Sequence, residues 1–381
     1  MKNNKFTIKN VTITSTAVDI EWDDGEISHF HFLWLRDNCQ SGMHPDARMR
    51  VFNLLDVSEK IHPLNYSLDY NGNLKFLWSE KNHESIYSSK WLRNNCYTIK
   101  SKKKIKSPYV LWDSLLEKNI NLIKVEYNEI MDSDAGLLKW LEKLHNYGLA
   151  VVTNSPTNKN SGFKILNRIS HIRETFFGTP FEVINIPKPN NTAYTAEALR
   201  NHTDLPYFEY TPGYQFLHCL VNDSTGGMST TVDGFSIANY LRNEEPETFN
   251  LLIKTNIKFK DDDFTQNKKR TFYSPLITLT KDKDFNDIRF SMAAMGIIDI
   301  NPDLMEIFYK AYRRFASLLH SKKNVVNFRL KAGDIFSFNN RRVLHGRTEF
   351  DPNSGHRHLQ GYYLDRDEIV ARLNYLQDAL I

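Results

Sequence analysis

Alternating apolar and polar positions dominate the first hundred residues of this 381-residue chain. The segment KFTIKNVTITSTAVDIEWDDGEISHFHFLWLRDNC (5–39) contains several short alternating runs, and this period of two is typical of half-buried β-strands. Asp24–Gly25 interrupts the alternation with the residues of a tight hairpin turn. We therefore predict a small β-rich N-terminal domain over residues 1–98.

A run of lysines follows this domain. TIKSKKKIKSPYV (98–110) places lysines at 100, 102, 103, 104 and 106. Such a run could contact a polyanion, or it could be a solvated linker. A single short run without a second basic patch favours the linker, and we predict a basic linker at residues 99–106.

Helical and strand patterns alternate in the remaining part, residues 107–381. Asp134 can cap an amphipathic helix through GLLKWLEKLHNY, which Gly148 ends, and the strand LAVVTN comes next. Further helices are predicted from SGFKILNRISHIRETFFG (161–178), FSIANYLRNEEPETFNLLIKT (235–255), PDLMEIFYKAYRRFASLLHSKK (302–323) and DRDEIVARLNYLQDALI (365–381). Short strands are predicted from KRTFYSPLITL, DIRFSM, NVVNFRL, GDIFSF and HLQGYYL. The order predicts a mixed α/β chain whose second domain is a double-stranded β-helix (jelly roll) with flanking helices.

Composition narrows the class of protein. Hydrophobic residues make up 41% and charged residues 25%, which is ordinary for a soluble globular protein. The net charge of +4 is too small to indicate nucleic-acid binding by itself. Three cysteines imply no disulfide framework and favour a reducing cytoplasm. No run approaches the roughly 18 apolar residues of a membrane span, so we expect a cytoplasmic protein without a nucleic-acid or membrane partner.

The strongest chemical signal is His202-x-Asp204 in NHTDLPYFEYTPGYQFLHC (201–219). In an extended strand, residues i and i+2 point to the same side, so an imidazole and a carboxylate would converge. One distant histidine would complete the two-His-one-carboxylate set that binds non-haem Fe(II) and leaves positions open for chemistry. His345 in NNRRVLHGRTEF fits this role, and the competing third ligands are His218, His356 and His358.

A second triplet of the same form shows how weak this signal is alone. His44 and Asp46 flank Pro45 in GMHPDARMR, where glycine and proline predict a turn. Proline also fits poorly inside a sheet. We therefore prefer His202 and Asp204 as the metal ligands.

Several ordered motifs resemble one family. The chain is similar to the γ-butyrobetaine and trimethyllysine dioxygenases of the taurine-dioxygenase-like superfamily. The motifs are WLRDNC (34–39), NTAYT (191–195), NHTDLPY (201–207), PGYQFLHC (212–219), TGG (225–227), VDGF (232–235), NNRRVLHGR (339–347) and RHLQGYYLDRDE (357–368). They occur in the family's order from about residue 20 to the C-terminus, and the first domain resembles the small β domain of this family.

The resemblance implies Fe(II) held by His202, Asp204 and His345, with 2-oxoglutarate as cosubstrate and O2 as oxidant. It implies that Arg357, twelve residues after His345, binds the far carboxylate of 2-oxoglutarate, assisted by Ser229. Bidentate carboxylate recognition favours arginine over lysine. Arg347 and Arg341 are alternatives, although a structural ion pair suits them as well.

The expected substrate is a small quaternary-ammonium acid. The resemblance implies hydroxylation of γ-butyrobetaine to carnitine, with succinate and CO2 as co-products, and a homodimer. Trimethyllysine or a trimethylamino-phosphonate is the alternative substrate, and a non-catalytic metal-binding sensor is the alternative class. A quaternary ammonium has no N–H to donate and is recognised by aromatic faces.

The family's aromatic cage maps to four aromatic positions, and its carboxylate contact maps to an asparagine. The corresponding residues here are Phe177, Phe181, Tyr194 and Tyr363 for the cage and Asn191 for the carboxylate. Aromatic core packing is the alternative interpretation for Phe177 and Phe181. The segment IRFSMAAMGII (288–298) lacks an asparagine that relatives carry around Met292, and Leu205 also lacks a polar group.

A zinc site of many relatives is degraded in this chain. Relatives use Cys-x-Cys-x-x-Cys and a later histidine, whereas this chain has Cys39 and Ser41, and the third position is either His44 or deleted. His83 is the distal candidate. A structural zinc site needs four good ligands, and a hydroxyl is a poor one. The sequence therefore argues against zinc and favours Cys39 as a small buried residue.

Overall fold

The computed structural model describes residues 6–80, 83–98, 109–184, 195–264 and 266–380. The chain divides into two compact units, Met1–Lys106 and Ser107–Ile381. The predicted linker at 99–106 lies outside the described residues. Within those ranges, no helix is both long enough and apolar enough to cross a membrane.

The first unit consists of two three-stranded antiparallel sheets with two short helices. In chain order its elements are β1 (Ile8–Ile13), β2 (Ala17–Trp22), β3 (Ile27–His31), α1 (Phe32–Asp37), β4 (Pro63–Leu68), β5 (Leu74–Trp78), β6 (Glu84–Tyr87) and α2 (Ser89–Asn95). The sheets have the orders β1-β2-β3 and β4-β5-β6. Trp22 and Trp78 are fully buried in its core. The turn between β2 and β3 contains Gly25 at φ +81°, a conformation that favours glycine. The β-rich character predicted for this part is confirmed.

The second unit holds the remaining elements. Its strands are β7 (Lys124–Glu126), β8 (Leu149–Thr153), β9 (Phe181–Ile184), β10 (Leu199–His202), β11 (Tyr214–Asn222), β12 (Ser229–Asp233), β13 (Ile257–Asp263), β14 (Lys268–Ser274), β15 (Ile277–Leu279), β16 (Phe285–Ile288), β17 (Val326–Phe328), β18 (Ile335–Asn339), β19 (Val343–Arg347) and β20 (Arg357–Leu364). Its helices are α3 (Tyr127–Asp132), α4 (Asp134–Tyr147), α5 (Gly162–Leu166), α6 (Gly234–Glu244), α7 (Pro246–Lys254), α8 (Pro302–Leu319) and α9 (Arg366–Leu380).

Two sheets form the double-stranded β-helix. The six-stranded sheet has the order β7-β8-β18-β11-β20-β9, and the four-stranded sheet has the order β10-β19-β12-β17. The pairing is antiparallel except between β7 and β8. One core cluster joins Phe336 and Phe338 of the larger sheet to Val326 and Val343 of the smaller one. This sandwich confirms the predicted mixed α/β fold with a jelly-roll domain.

Helices cover the larger sheet on its other face. Trp140 and Leu144 of α4 and Leu373 of α9 pack in one cluster with Phe216 of β11 and Tyr362 of β20. The alternation of β20 thus puts Tyr362 under the helices and leaves Tyr363 for the opposite face.

Two local predictions were wrong. Ser133, not Asp134, caps α4, because the Ser133 side chain accepts a hydrogen bond from the N–H of Gly136. The helix predicted over 161–178 stops at Leu166 as α5. Further along, the N–H of Arg173 donates to the carbonyl of Tyr363 at 2.8 Å, so a tertiary contact replaces the helical pattern there.

Candidate active site

The two histidines of the candidate site lie on neighbouring strands. His345 is in the middle of β19, and β10 and β12 flank that strand. The antiparallel register places His202 directly opposite His345. Their ring centroids are 4.4 Å apart, and His345 is buried. Residues more than 140 positions apart therefore meet because β10 and β19 pair.

Asp204 joins the histidines from beyond the end of β10. Its Oδ1 lies 3.1 Å from Nε2 of His202 and 3.7 Å from Nε2 of His345. One donor atom from each of the three residues can be chosen so that all lie within 4.8 Å of one another. A carboxylate with two imidazoles is the donor set that suits Fe(II), so the residues present fit this metal.

The geometry differs from the expected simple strand alternation. β10 ends at His202, and Leu205 has φ +54°, which is rare for a residue with a side chain. The N–H of Thr203 donates to the carbonyl of Phe290 rather than to β19, the strand that pairs with β10. Asp204 thus reaches the site through a turn of the backbone rather than along an extended strand.

Hydrogen bonds fix the orientation of the candidate ligands. Nδ1 of His202 lies 2.9 Å from the carbonyl of Arg200, which leaves Nε2 for a metal ion. The hydroxyl of Tyr363 donates to Oδ2 of Asp204 at 2.6 Å. Oδ1 therefore faces the histidines while Oδ2 is held by the protein.

Burial and mutual contacts set the charges of these residues. Burial, with His202 nearby, lowers the pKa of His345 to about 3. Burial alone would raise the pKa of Asp204, but His345, His202 and the Tyr363 hydroxyl together lower it. Burial opposes the charging of His202, but Asp204 raises its pKa above the ordinary value. Asp204 is thus ionised, and its negative charge favours a positive charge beside it. A proton on His202 can supply that charge, and so can a bound metal ion.

Arg357 is a half-buried cation next to the strand segment that carries Ser229. It begins β20, and its Nε is buried without a hydrogen-bond partner among the described residues. No described carboxylate lies within ion-pair distance of it. Arg347 instead donates to the carbonyls of Thr195 and Glu197, and Arg341 lies 3.5 Å from Asp287. Of the three arginines considered from the sequence, Arg357 is best suited to bind the carboxylate of a bound molecule.

The segment that carries Ser229 passes beside Arg357. Ser229 is buried at the start of β12. A Cβ at Gly227 would lie 3.3 Å from Nε of Arg357, and Gly227 has φ +65°. Glycine therefore allows this segment to approach the guanidinium closely. Burial, with Arg347 nearby, lowers the pKa of Arg357 to about 10, so it stays charged at neutral pH.

A cavity of about 380 Å³ opens onto the candidate ligands. Residues that line it include Phe177, Phe181, His202, Asp204 and Leu205. Aromatic rings and two of the three candidate metal ligands, His202 and Asp204, thus line one space, as a substrate site requires.

Phe177 and Phe181 form the aromatic wall of the cavity, and the buried Tyr363 stacks on Phe181. Phe181 and Tyr363 stack with centroids 5.0 Å apart and an interplanar angle of 24°, and Phe177 lies 6.0 Å from Phe181. A Cβ at Gly361 would lie only 2.0 Å from the Phe181 ring, so glycine is required for this packing. The other two predicted substrate residues, Asn191 and Tyr194, lie outside the described residues.

The sequence analysis did not single out several residues of this site. Tyr207, Lys260, Asp261 and Ser291 also line the cavity. Tyr207 lies within NHTDLPY, so the motif could have indicated it. Lys260 and Asp261 lie on β13, which gave no chemical signal.

The competing histidines lie elsewhere. His218 is buried, with Nε2 3.0 Å from Oγ of Ser155. His358 pairs with Glu182. Neither belongs to the ligand group, and neither does His356; among the described residues, only His202, Asp204 and His345 form such a group.

The degraded zinc motif is partly assembled in the first unit. Sγ of Cys39 lies 3.1 Å from Oγ of Ser41 and 3.7 Å from Nε2 of His83. His44 does not join them, because its Nδ1 accepts from the N–H groups of Asp46 and Ala47 in a turn. Cys39 is buried, as expected from the sequence.

Comparison with known proteins agrees with this geometry. Residues 113–363 match the family described as "Taurine catabolism dioxygenase TauD, TfdA family". Residues 10–133 match "Gamma-butyrobetaine hydroxylase-like, N-terminal".

Gamma-butyrobetaine dioxygenase of Pseudomonas sp. (strain AK-1) is 38% identical over 95% of this chain and 94% of its own. Mitochondrial trimethyllysine dioxygenase of Mus musculus is 32% identical over 94% of this chain and 88% of its own. Human gamma-butyrobetaine dioxygenase is 30% identical over 94% of each chain. The chain therefore belongs to the γ-butyrobetaine and trimethyllysine dioxygenases of the TauD/TfdA family and is an Fe(II)- and 2-oxoglutarate-dependent dioxygenase.

Proposed function

We propose that the enzyme hydroxylates γ-butyrobetaine to carnitine and converts 2-oxoglutarate and O2 to succinate and CO2. The observation that carries the proposal is the Phe181–Tyr363 stack, whose tyrosine hydroxyl touches Asp204. This stack places a surface for a quaternary ammonium beside the candidate metal ligands. The 38% identity to a bacterial γ-butyrobetaine dioxygenase supports the same substrate.

His202, Asp204 and His345 are proposed to hold the iron. Two imidazole nitrogens and one carboxylate oxygen leave coordination positions for 2-oxoglutarate and O2. With iron bound, the enzyme couples the oxidative decarboxylation of 2-oxoglutarate to the insertion of one oxygen atom into a substrate C–H bond. Tyr363 keeps one carboxylate oxygen of Asp204 turned away from the histidines.

Arg357 and Ser229 are proposed to bind the far carboxylate of 2-oxoglutarate. Arg357 is half-buried, its Nε is enclosed without a hydrogen-bond partner, and no described carboxylate pairs with its guanidinium. A partly desolvated cation without a counter-ion is costly, and an incoming carboxylate reduces that cost. The Ser229 hydroxyl is proposed to donate a further hydrogen bond to the same carboxylate.

The substrate's trimethylammonium is proposed to bind against Phe177, Phe181 and Tyr363, with Tyr194 and Asn191 as further contacts. Each aromatic face contributes about 0.5–2 kcal/mol to binding a cation. Two of these rings are phenylalanine, and Leu205 adds an apolar wall. Such walls exclude water and keep the substrate chain in one position for hydroxylation.

Trimethyllysine is the second candidate substrate. Met292 and Ala293 line the cavity and offer no side-chain hydrogen bond to a carboxylate. Asp261 also lines it and pairs with Arg270 at 2.7 Å. A carboxylate at the cavity wall suits the α-ammonium of trimethyllysine, which γ-butyrobetaine lacks.

Succinate release distinguishes these substrates. The purified enzyme is supplied with Fe(II), ascorbate and 2-oxoglutarate, and with γ-butyrobetaine, trimethyllysine or a trimethylamino-phosphonate in turn. We expect the highest kcat/KM with γ-butyrobetaine and carnitine as the product by mass spectrometry. His202→Ala is the inactive control. Iron binding without turnover of any of these compounds would contradict the proposal and favour the sensor alternative.

We further propose that the protein acts in the cytoplasm as a homodimer of two-domain chains joined at residues 99–106. The family resemblance supports the dimer, and the three cysteines, all free, support a reducing compartment. Light scattering coupled to size exclusion tests the dimer, which predicts twice the 44.6 kDa chain mass.

A further inference from the structure

The backbone of Asp204 lies outside the sheet that carries the two histidines. β10 ends at His202, and the positive φ of Leu205 turns the chain away. A buried peptide group that leaves a sheet must find another hydrogen-bond partner, because an unpaired one is costly. Asp204 therefore needs a substitute for the missing strand ladder.

The side chain of Asn340 supplies that substitute. Its Oδ1 accepts the N–H of Asp204 at 2.7 Å, and its Nδ2 donates to the carbonyl of Asp204 at 3.0 Å. The second Nδ2 hydrogen reaches the carbonyl of Pro212 at 3.2 Å. The carboxamide thus pairs with both peptide groups of Asp204, as a neighbouring strand residue would.

Only a carboxamide satisfies all three contacts. Asn340 is 1% exposed, and its own N–H donates to the carbonyl of Gly213 at 3.0 Å. An aspartate would place a second oxygen against two carbonyl oxygens, and a serine would be too short for all three contacts. Asparagine has two side-chain donors and one acceptor at this reach.

The position of Asn340 joins the two parts of the metal site. It lies in the connection between β18 and β19, five residues before His345. The segment that brings His345 into the site therefore also holds Asp204, which follows the end of β10 and lies 136 residues earlier in the chain.

We propose that Asn340 is a positioning residue for the metal: it fixes the backbone of Asp204 so that the carboxylate meets both histidines. This inference rests on the proposed assignment of His202, Asp204 and His345 as metal ligands. Mutation of a residue that supports a metal ligand in this way typically weakens metal affinity about 10–100-fold.

A buried asparagine could also serve only to stabilise the fold, so the test separates metal affinity from stability. Asn339→Ala is the matched control, because Asn339 is a buried neighbour whose Oδ1 accepts from the N–H of Arg341 rather than from Asp204. Mn(II) binding is titrated by electron paramagnetic resonance on wild type, Asn340→Ala, Asn340→Asp and Asn339→Ala. Thermal unfolding of the metal-free proteins is measured in parallel.

We expect Asn340→Ala and Asn340→Asp to bind Mn(II) at least about 10-fold more weakly than wild type. Asn339→Ala is expected to lose stability but to keep wild-type Mn(II) affinity within twofold. Wild-type Mn(II) affinity in a folded Asn340 variant would overturn the inference. Asn340→Asp keeps the side-chain volume and the oxygen that accepts the N–H of Asp204. Its Mn(II) affinity is therefore the deciding measurement if Asn340→Ala does not fold.

His202→Ala separates this inference from the proposed function. If His202→Ala binds Mn(II) as tightly as wild type, the assignment of the metal ligands fails. If His202→Ala loses Mn(II) and the Asn340 variants do not, only the role of Asn340 fails.

Discussion

The hydroxyl of Tyr363 donates a 2.6 Å hydrogen bond to Oδ2 of Asp204, while the ring of Tyr363 stacks on Phe181. One side chain therefore contacts both the candidate metal site and the aromatic wall of the cavity. The hydroxyl and the ring can be separated by substitution, because phenylalanine keeps the ring and removes only the hydroxyl.

Tyr363→Phe is expected to weaken metal binding about 10-fold and to change the KM for γ-butyrobetaine by less than threefold. The reason is that Oδ2 of Asp204 loses its donor and the carboxylate gains freedom to rotate. Mn(II) titration and substrate kinetics measure the two effects. Tyr362→Phe is the control, since its hydroxyl contacts Gln360 and its ring packs under the helices. An equal loss of metal affinity in both variants would contradict this role.

Phe181→Leu is expected to raise the KM for γ-butyrobetaine about 5–30-fold, since one cation–π contact contributes about 1–2 kcal/mol. Leucine keeps an apolar side chain but offers no aromatic face. The analogue 5,5-dimethylhexanoate carries an uncharged tert-butyl group in place of the trimethylammonium. Its inhibition constant therefore separates cation recognition from apolar packing. That constant should change by less than threefold. Equal weakening of both ligands would show that Phe181 contributes apolar packing rather than cation recognition.

Much of the site could be predicted from sequence because its main residues lie in short motifs. His202 and Asp204 are two residues apart, and His345 lies in the motif NNRRVLHGR, just after the predicted strand GDIFSF. The fold class followed from alternating segments and helical periods. Each of these signals is local, so tertiary contacts are not needed to recognise it.

The supporting contacts could not be predicted in the same way. Tyr363 meets Asp204 across 159 residues, and Asn340 meets it across 136 residues. Nothing near either residue indicates such a partner, since only the assembled sandwich brings the strands together. The helix expected after Ser161 was wrong for a related reason: the backbone of Arg173 pairs with Tyr363 instead of continuing a helix.

Arg357→Lys is expected to raise the KM for 2-oxoglutarate about 10-fold or more and to leave the KM for γ-butyrobetaine within threefold. Lysine keeps the charge but cannot form the paired hydrogen bonds that arginine makes with a carboxylate. Steady-state kinetics with each substrate varied in turn gives both values. Arg314→Lys is the control, because Arg314 pairs with Glu245 outside the cavity lining. An unchanged KM for 2-oxoglutarate would shift the assignment to Arg347 or Arg341.

Buried His218 is expected to make stability depend on pH below neutrality. Burial lowers its pKa to about 4, whereas an unfolded histidine has a pKa of about 6.5. Well above pH 6.5 the His218 imidazole is neutral in both the folded and the unfolded state, so it adds no pH dependence to stability. As the pH falls from 6.5 toward 4, only the unfolded state takes up the proton, and the free energy of unfolding falls.

His218→Gln removes this titration and should therefore flatten the pH dependence. For the metal-free protein, the loss of unfolding free energy between pH 7.5 and 5.0 should be smaller in His218→Gln by about 2 kcal/mol. Urea unfolding at the two pH values measures the difference. His171→Gln, which removes an exposed histidine, is the control and should keep the wild-type dependence. Equal losses in His218→Gln and wild type would show that His218 does not resist protonation in the folded protein.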